Sequence, residues 1–438
     1  MSTTSTKSDY KVRRSILCPH CWHTFPVYDI LFIAEHPELL GDPRLGNDYQ
    51  RRFRPSRFTP NCEAIDPKGM PCNKTACPNC HLEIPRGCIE LAPRIVSVIG
   101  APACGKSYFI TSQAWMLRNV LSRHFHVSFA DADPLINQRL NEYETLLFLN
   151  QNNDELVELP KTETFGEHYS SVLFGSRSVQ FLKPFLFTLK PLRTHPNAAA
   201  MQALGRLLCI YDNAGESFLP GQETGQQPVT RHLSESNLFM FLFDPTQDVR
   251  FARALQEKAE DDPASAINHR RVAMRQETVL SEAAQRIVRS TKHTRKEDRP
   301  PLIVVVTKYD AWRHMLDERL ESPWRYVKSA GLCGVTVGQV ERVSMKVRDL
   351  LSRLTPEIVN TAEDLCNRVV YVPVSATGCA PSRSENGDRW GFRPKDITPI
   401  WTEVPLLYYL AKWERGIIGQ AKESTAMAVP PGVENSSS

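Results

Sequence analysis

The sequence predicts an α/β protein built on a doubly wound, mostly parallel sheet, with a small cysteine-rich module at its N-terminus. Three observations predict this architecture. From residue 93 onward, short apolar and β-branched runs alternate with longer helical patterns. A loop with the pattern G-x-x-x-x-G-K-[ST] follows the first of these runs, at residues 100–107. Two Cys-x-x-Cys pairs, at 18–21 and 77–80, precede the alternating part.

The chain divides into four segments by composition. We expect disorder over residues 1–12, a loop-rich cysteine module over 13–92, the α/β domain over 93–420 and a disordered tail over 421–438. Within the α/β domain, the runs that predict strands are Arg94–Ile99, His126–Ala130, Pro184–Thr188, Leu207–Tyr211, Leu238–Phe243, Leu302–Val306 and Val369–Val374.

Helical patterns fill the intervals between those strands. The first helix is predicted over residues 107–125 and the last over Leu406–Ile418. Two charged stretches, near 247–299 and 316–368, are predicted as helical inserts, and the first is expected to be solvated. Their surfaces are candidates for binding an effector or a regulator.

Composition bounds the class of protein. Of 438 residues, 41% are hydrophobic and 23% are charged, which is ordinary for a globular chain. A net charge of +4 is too small to indicate nucleic acid or an acidic membrane as partner. No apolar run approaches ~18 residues, so no membrane span is expected. Twelve cysteines behind a polar N-terminus without a signal-like apolar run predict reduced thiols, some of them metal ligands, in a cytoplasmic protein.

A phosphate-binding loop is predicted directly after the first strand. Its glycines let backbone N–H groups turn toward phosphate oxygens, Lys106 supplies a positive charge, and Ser107 offers a hydroxyl to Mg²⁺. Pro102 has no N–H and cannot be one of the donors. We expect the phosphates to be bound by Gly100, Ala103, Cys104, Gly105, Lys106 and Ser107.

The strand Leu207–Tyr211 runs into a D-x-x-G pattern formed by Asp212 and Gly215. An aspartate at a strand end can hold Mg²⁺, commonly through water. The N–H of Gly215 can reach a terminal phosphate, so the loop that follows would sense whether that phosphate is present.

The next segment predicts which base is bound. After strand Leu302–Val306 come Thr307, Lys308 and Asp310, in a T-K-x-D pattern. The Asp310 carboxylate can accept hydrogen bonds from guanine N1–H and N2–H₂, a donor pair that adenine lacks. The Lys308 stem would pack on the base. Thr307 stands where the commoner pattern has Asn.

Two further contacts complete the predicted site. Strand Val369–Val374 ends in Ser375 and Ala376, and the backbone N–H of Ala376 would donate to guanine O6. A threonine must also close over Mg²⁺ and the terminal phosphate. Thr162 is assigned to this role, with Thr164 as its main rival.

With these motifs in this order, the α/β part resembles a GTPase of the TRAFAC class of P-loop proteins. The resemblance implies that class's fold, GTP or GDP and Mg²⁺ as ligands, and loops that switch between two states. The whole chain is similar to bacterial zinc-ribbon GTPases of the double-GTPase type, which are associated with conflict or defence gene neighbourhoods. That finer similarity depends on the order of the segments: a Cys-x-x-Cys turn (a knuckle), an insert, a second knuckle and then the GTPase part. It also depends on the RFRPSRF sequence between the two knuckles and on Glu403-Val-Pro-Leu-Leu407.

Hydrolysis is predicted to be slow. The residues assigned to catalysis are Lys106, Thr162, Gly215 and Glu216. Glu216 stands where Gln often orients the attacking water, and its charge adds to that of the phosphates. A partner that supplies an arginine or orders residues 217–231 would accelerate turnover. Arg231 is an internal candidate for that arginine, although a solvated surface position is favoured.

The cysteine module predicts a zinc ribbon. The pairs Cys18/Cys21 and Cys77/Cys80 share the template C-P-x-C-x-x-x-[apolar]-P, and two such turns complete a tetrahedron of thiolates. A redox pair and free thiols are the alternatives, and the duplication of the knuckle disfavours both. Cys62 and Cys72 remain open as a replacement ligand or a second site. The histidines beside the ligands, His20, His23 and His81, are predicted to be at the surface rather than on the metal.

The insert between the knuckles carries Arg51-Arg-Phe-Arg-Pro-Ser-Arg-Phe58. Interleaved arginines and aromatics can bind single-stranded nucleic acid. They can also pack their aromatics on the α/β domain while the arginines bind backbone and carboxylates, which is the favoured interpretation. Because the ribbon lies close to the phosphate loop along the chain, it is a candidate docking surface for a protein effector or activator.

The leading hypothesis is therefore a GTP-binding switch that regulates a protein partner and hydrolyses GTP slowly. Two rivals remain: a catalytically silent scaffold that binds GTP, and a regulator that binds nucleic acid through the ribbon.

Overall fold

The structure is a computed structural model, and it describes residues 13–160, 166, 168–213, 218, 228–258, 275–290, 295–384 and 390–423. All structural statements below concern these residues. The segments predicted as disordered, 1–12 and 421–438, lie outside them except for residues 421–423.

The N-terminal module is a set of short antiparallel strands. Its strands are β1 Ser15–Leu17, β2 Thr24–Pro26, β3 Leu31–Ile33, β4 Leu40–Asp42, β5 Gly46–Gln50, β6 Arg52–Phe53, β7 Ala64–Ile65, β8 Pro71–Cys72, β9 Thr75–Ala76 and β10 Glu83–Ile84. Four of them form one sheet in the order β10-β9-β3-β6, and the others pair as hairpins β1–β2, β4–β5 and β7–β8. Strands this short bury little apolar surface, so the module needs further stabilisation.

The remaining strands build a large central sheet and three hairpins. They are β11 Ala92–Gly100, β12 Val127–Asp131, β13 Tyr169–Phe174, β14 Arg177–Leu182, β15 Phe185–Pro191, β16 Arg206–Asp212, β17 Leu238–Phe243, β18 Leu302–Val306, β19 Trp324–Val327, β20 Leu332–Val335, β21 Val369–Pro373, β22 Ser382–Arg383 and β23 Trp390–Gly391. The central sheet has seven strands in the order β12-β15-β16-β11-β17-β18-β21. Only β15 runs against its neighbours. The sheet is therefore mostly parallel, as the sequence predicts.

Helices cover this sheet. They are α1 Gly87–Glu90, α2 Lys106–Phe125, α3 Gln138–Phe148, α4 Met201–Leu204, α5 Val249–Lys258, α6 Gln276–Ser290, α7 Tyr309–Trp312, α8 Val337–Leu354, α9 Pro356–Leu365 and α10 Val404–Lys412. Helix α2 packs on β12 and α3, and α8 packs on β21 and α9. Strands β17 and β18 are buried along their whole length, because a parallel strand covered on both faces is apolar throughout.

All seven predicted strands are found in the central sheet, and the first helix is found within one residue of its predicted start. The last helix is shorter than predicted, because it ends at Lys412 rather than at residue 418. The expectation of a solvated first insert is wrong for its described part. Helix α6 buries Val279, Leu280, Ala283 and Ile287 against the core, and this spacing of apolar residues marks one helical face.

The second predicted helical insert, 316–368, contains more than helices. Its first part forms the hairpin β19–β20, in which Gly331 adopts a φ of +68° at the turn. Its helix α8 buries an apolar face on β21, and α9 buries its apolar face against α6 and α8. In the described parts of both inserts, helices α6, α8 and α9 therefore belong to the core structure.

The N-terminal module and the central sheet share one hydrophobic core. Cys18, Cys21, Trp22, Cys77 and Cys80 belong to the same buried cluster as residues of strands β14, β15 and β16. The described residues contain no helix both long and apolar enough to cross a bilayer.

Candidate functional site

The predicted site residues converge at one edge of the central sheet. Strands β11, β16, β17, β18 and β21 are parallel, so the loops that follow them meet at the carboxyl edge. This is the edge at which sheets of this kind bind ligands. The sequence separates these loops by up to 275 residues, and the fold brings them together.

The loop 100–107 makes a tight turn between β11 and α2. A Cβ on Gly100 would lie 2.7 Å from Cys104 Sγ and 3.0 Å from the Leu242 carbonyl oxygen, so only glycine fits there. Gly105 has a φ of +89° and Ala103 a φ of +59°. The left-handed conformation of Ala103 costs on the order of 1 kcal/mol, and such strain is common at functional sites.

Lys106 is buried in the mouth of this loop. Its Nζ donates to the carbonyl oxygens of Gly100 and Ala101, both at 2.9 Å. The ammonium group therefore lies inside the turn, with only 7% of the residue exposed. The Lys106 side chain would need only a small movement to contact an anion bound in this loop.

Ser107 and Asp212 approach each other across the edge. The Ser107 hydroxyl donates to Asp212 Oδ2 at 3.4 Å, and Asp212 is 97% buried at the end of β16. A hydroxyl and a carboxylate side by side form an oxygen pair of the kind that Mg²⁺ prefers.

Thr307 joins the loop after β18 to the loop 100–107. Its hydroxyl lies 3.4 Å from the Cys104 carbonyl oxygen and 3.2 Å from that of Phe243, and it can donate to either. Lys308 has a φ of +55°, and its Nζ forms a 2.6 Å ion pair with Asp244 at the end of β17. Asp244 is fully buried, and sequence reasoning missed it. The Asp-Pro pair that ends the buried strand β17 was the available signal.

Asp310 lies beside Ser375. The Ser375 hydroxyl donates to Asp310 Oδ1 at 2.5 Å and accepts from the N–H of Gly378 at 2.8 Å. Gly378 has a φ of +70°, and a Cβ there would lie 2.0 Å from the Thr398 carbonyl oxygen. The two segments predicted to contact a base are therefore joined by a direct side-chain bond.

Helix α2 supports the loop that contains Ala376. The Ser112 hydroxyl donates to the Ala376 carbonyl oxygen at 2.7 Å, and Gln113 Nε2 donates to the Thr402 carbonyl oxygen at 2.9 Å. The next residue, Glu403, is 97% buried at the start of α10. Burial raises the pKa of Glu403 to about 7. Among the described residues its Oε2 has no hydrogen-bond partner.

Four predicted residues lie outside the described residues: Thr162, Thr164, Gly215 and Glu216. The chain just before the first pair is held to α2, because the N–H of Leu159 donates to the Tyr108 hydroxyl at 2.9 Å. The Tyr108 ring also packs edge-on against Phe392, and Val157 pairs with Phe392. Arg231, the candidate internal arginine, is exposed.

The four predicted zinc ligands form one buried cluster. The Sγ atoms of Cys18, Cys21, Cys77 and Cys80 all lie within 4.8 Å of one another. Cys18 and Cys80 Sγ are 3.8 Å apart, and Cys21 and Cys77 Sγ are 3.7 Å apart. Four thiolates around a zinc ion at ~2.3 Å would be separated by about 3.8 Å. The cluster therefore has the donor set and the spacing to hold a metal such as zinc.

The two knuckles have matching backbones. Trp22 N donates to the Cys18 carbonyl oxygen at 3.0 Å, and His81 N donates to that of Cys77 at 2.9 Å. Both Trp22 and His81, each directly after the second cysteine, have positive φ, at +56° and +62°. The N–H groups of His20 and Asn79 lie 3.4 Å from the first thiol sulfur of their own knuckles. Such N–H···S contacts stabilise thiolates that bind a cation.

The thiol pKa values follow from burial and mutual hydrogen bonding. Burial raises the pKa of Cys18 and Cys80, whereas hydrogen bonds from Cys18 and the other two thiols lower the pKa of Cys21. Four buried thiols would become thiolates together only with a cation among them, because the cation offsets their mutual repulsion and their burial.

Other residues of the module depart in part from expectation. The surface prediction is wrong for His20, which is buried, with its Nε2 2.9 Å from the Glu83 carbonyl oxygen. His81 Nδ1 pairs with the buried Asp42 at 2.9 Å, so it too is largely covered. Cys62 is exposed and Cys72 is buried, and neither belongs to the four-cysteine cluster.

The RFRPSRF segment packs within the module. Its Phe53 lies in β6, and Phe58, which is 54% exposed, packs edge-on against Phe32. The expectation that these aromatics pack on the α/β domain is therefore wrong. Two of its arginines bind as expected, since Arg52 donates to the His81 carbonyl oxygen and Arg54 pairs with Asp29.

A buried network that sequence reasoning missed lies between the two sites. Trp22 follows the ligand Cys21, and its Nε1 donates to the Tyr211 hydroxyl at 3.0 Å. Tyr211 directly precedes Asp212 and stacks on His232. The sequence signal was the aromatic at the end of an otherwise aliphatic strand.

No family model matches the chain, and no curated protein matches its sequence. The geometry therefore carries the functional argument. The structure has a tight loop at 100–107, a hydroxyl–carboxylate pair beside it, and two loops further along the edge that the Ser375–Asp310 bond joins. It also has a separate cysteine cluster that could hold a metal.

Proposed function

We propose that this chain is a GTP-binding switch with slow, Mg²⁺-dependent GTP hydrolysis, and that it regulates a protein partner through nucleotide-dependent loops. The proposal includes membership of the TRAFAC class of P-loop GTPases and similarity to the zinc-ribbon double-GTPase type. The observation that carries it is a pair of contacts at one sheet edge: Thr307 bonds to the loop 100–107, and Ser375 bonds to Asp310.

The part of the site around Asp310 and Ser375 supports guanine as the bound purine. Asp310 is oriented by the Ser375 hydroxyl, which leaves its second oxygen for a donor outside the protein. Guanine offers two adjacent donors, N1–H and N2–H₂, to such a carboxylate, whereas adenine offers an acceptor at N1. The N–H of Ala376 is the proposed donor to guanine O6, and Lys308 the proposed support of the base.

The phosphate end supports a triphosphate with Mg²⁺. Backbone N–H groups of the loop and Lys106 would bind the phosphates, and Ser107 and Asp212 would hold the cation. When bound, Mg²⁺ neutralises charge on the phosphate oxygens. Thr162, Gly215 and Glu216 are proposed to close over the terminal phosphate, with Glu216 holding the attacking water less effectively than a neutral amide would.

We propose Zn²⁺ as the metal of the cysteine cluster and a structural role for it. Four buried thiol ligands leave no open coordination position, which is typical of structural rather than catalytic zinc. A reduced, cytoplasmic environment is proposed for the protein because thiolate ligands must stay unoxidised.

Nucleotide binding to the purified full chain tests the proposal. Calorimetry with GDP and with a non-hydrolysable GTP analogue, both in Mg²⁺, should give binding that an equal concentration of ATP does not displace. Lys106→Ala should weaken this binding strongly, because the loop loses its one buried cation. Equal displacement by ATP and GTP would contradict the base assignment.

Asp310→Asn provides a sharper test of base recognition. An amide at this position presents one acceptor and one donor, which no longer match N1–H and N2–H₂ of guanine but match N1–H and O2 of xanthine. The variant should lose affinity for GDP and gain affinity for xanthosine diphosphate. Asp317→Asn, at an exposed aspartate seven residues along the chain, is the matched control and should leave both affinities unchanged.

Turnover separates a switch from a scaffold. Release of phosphate from GTP should exceed that of Lys106→Ala, and it should require Mg²⁺. Turnover equal to that of the variant would leave a GTP-binding scaffold as the function.

A further inference from the structure

The cysteine cluster and the carboxyl edge of the sheet are joined by one side chain. Trp22 directly follows the ligand Cys21, is 96% buried and holds a positive φ that the knuckle turn imposes. Its ring lies 6.0 Å from Phe181, 5.9 Å from Tyr211 and 5.8 Å from His232, measured between ring centroids. Trp22 therefore touches strand β14, strand β16 and the 3-10 helix Pro228–Glu235 at once.

Tyr211 binds the knuckle through its hydroxyl. It donates to the carbonyl oxygen of Pro19, which lies between the ligands Cys18 and Cys21, and it accepts from Trp22 Nε1 at 3.0 Å. The residue is fully buried, so each of these bonds replaces one that water would make. Because Asp212 is the next residue in β16, the position of Tyr211 sets the position of the predicted Mg²⁺ ligand.

His232 continues the contact into the chain after Asp212. Its ring is parallel to that of Tyr211 at 4.5 Å, and its Nε2 lies 2.9 Å from Asn213 Oδ1. The Asn213 amide donates its Nδ2 hydrogen to the Val98 carbonyl oxygen, so its Oδ1 accepts and His232 Nε2 donates. Nδ1 of the same ring lies 2.6 Å from Ser97 Oγ and accepts from it.

This bond joins the two ends of one segment. Asn213 and His232 flank the residues that contain Gly215 and Glu216, the positions predicted to sense the terminal phosphate. The two ends of that segment are thus bonded to each other, His232 stacks on Tyr211, and the Tyr211 hydroxyl bonds to the knuckle. A knuckle without metal would lose the turn that presents Pro19 and Trp22, because small cysteine modules fold only when the metal is bound.

We propose that a metal ion in the cysteine cluster and a nucleotide at the carboxyl edge bind with positive coupling, transmitted through Trp22, Tyr211 and His232. The proposal deepens the function proposed above and rests on it. Metal binding orders the surface against which Tyr211 and His232 pack, and a nucleotide requires Asp212 and its loop in that same arrangement. Two ligands that favour the same state strengthen each other's binding.

Reciprocal affinities measure the coupling in the full chain. The affinity for Zn²⁺, from competition with a chromophoric chelator, should rise when GDP and Mg²⁺ are saturating. The affinity for fluorescent mant-GDP should rise by the same factor when chelated protein is reloaded with Zn²⁺, since coupling is symmetric. We expect a factor of about fivefold or more, within the usual range for coupled sites.

Tyr211→Phe tests the route of the coupling. Phenylalanine keeps the stacking on His232 but removes the hydroxyl that binds Pro19 and Trp22. Both ligands should still bind, while the coupling factor falls to about one. In zinc-loaded protein, mant-GDP should dissociate from this variant faster than from the wild type. No chelator is present in this measurement, so loss of the metal cannot unfold the module.

Tyr371→Phe is the matched control. Tyr371 is a buried tyrosine on β21, an edge strand of the same sheet, and its hydroxyl donates to Glu363 rather than to the knuckle. The control should retain the wild-type coupling factor.

Hydrogen exchange gives a readout that needs no nucleotide. Loading Zn²⁺ should protect the amides of β16 and of residues 231–236 in the wild type, and less so in Tyr211→Phe. Equal exchange in both proteins, or a coupling factor of one in a wild type that binds both ligands, would overturn the coupling alone. A chain that binds no GDP in any metal state would overturn the proposed function and the coupling with it.

Discussion

Replacing the buried Glu403 with glutamine should raise stability at neutral and alkaline pH. The pKa of this carboxyl is raised by burial from an ordinary 4.5 to about 7 in the folded chain. Below pH 4.5 both states carry a neutral acid, and the side chain has no electrostatic cost. Between pH 4.5 and 7 the folded state binds more protons than the unfolded one, so stability falls as pH rises. Above pH 7 the full cost is present.

The size of this cost follows from the two pKa values. Their difference, multiplied by ~1.36 kcal/mol for each unit, gives about 3 kcal/mol at pH 8. At pH 5 only the unfolded state is substantially ionised, and the cost is about 1 kcal/mol. With an unfolding entropy of ~2 cal/mol/K per residue over roughly 330 residues of the α/β part, 3 kcal/mol corresponds to about 5 °C in Tm. Glu403→Gln should therefore melt about 5 °C above the wild type at pH 8 and only about 1 °C above it at pH 5.

Scanning calorimetry at a series of pH values measures the effect. Taking the difference in Tm between variant and wild type at each pH cancels the other titrating groups. Glu142→Gln, at an exposed position on α3, is the matched control and should show no pH-dependent difference. A Tm difference for Glu403→Gln that is the same at pH 5 and pH 8 would refute the reasoning. It would mean that the N-terminus of α10 stabilises the charged form as much as burial opposes it.

Three further outcomes are expected. Gly378→Ala should lower Tm by several degrees and weaken GDP binding, because its Cβ would lie 2.0 Å from the Thr398 carbonyl oxygen; calorimetry and titration check both effects. His232 has a pKa lowered to about 3 by burial, so the unfolded state binds the extra proton between about pH 6.5 and 3. Stability should fall by about 1.4 kcal/mol for each pH unit on acidification through that window, and His232→Gln should lose this slope in urea melts. Metal analysis should find one zinc ion per chain, and chelation should expose the module to protease; stoichiometric binding of a thiol reagent at all four cysteines of untreated protein would contradict the site.

Strands β17 and β18 were predictable to the residue because a buried parallel strand reads as an unbroken apolar run. The hairpin β13–β14 was not predicted, although Gly175, with a φ of +66°, marks its turn. Its strands have six residues each, and neither alternates regularly between buried and exposed positions, so the two-residue period that marks a strand is absent. The prediction of a solvated environment for helix α6 relied on its many charged residues. The regular spacing of its apolar residues, which indicates a buried face, was the better signal.

The contacts of the candidate site were predictable to different degrees. Gly100, Lys106 and Ser107 lie within one loop, where adjacent residues and a single turn define the geometry. The pairing of Lys308 with Asp244 was not foreseen, because it joins the ends of two strands whose order in the sheet is a tertiary property.

The sequence by itself predicted two kinds of site: a loop proposed to bind phosphates, followed by residues proposed to bind a purine and a cation, and two matched knuckles that could hold a metal. Each is encoded by a few neighbouring residues, and short-range backbone geometry is enough to build it. Only the tertiary structure decided that the two sites touch. The bond between Trp22 and Tyr211 spans 189 positions of the chain. It forms because the module and the sheet bury one shared apolar surface, and no local pattern in the sequence specifies which aromatic residues meet there.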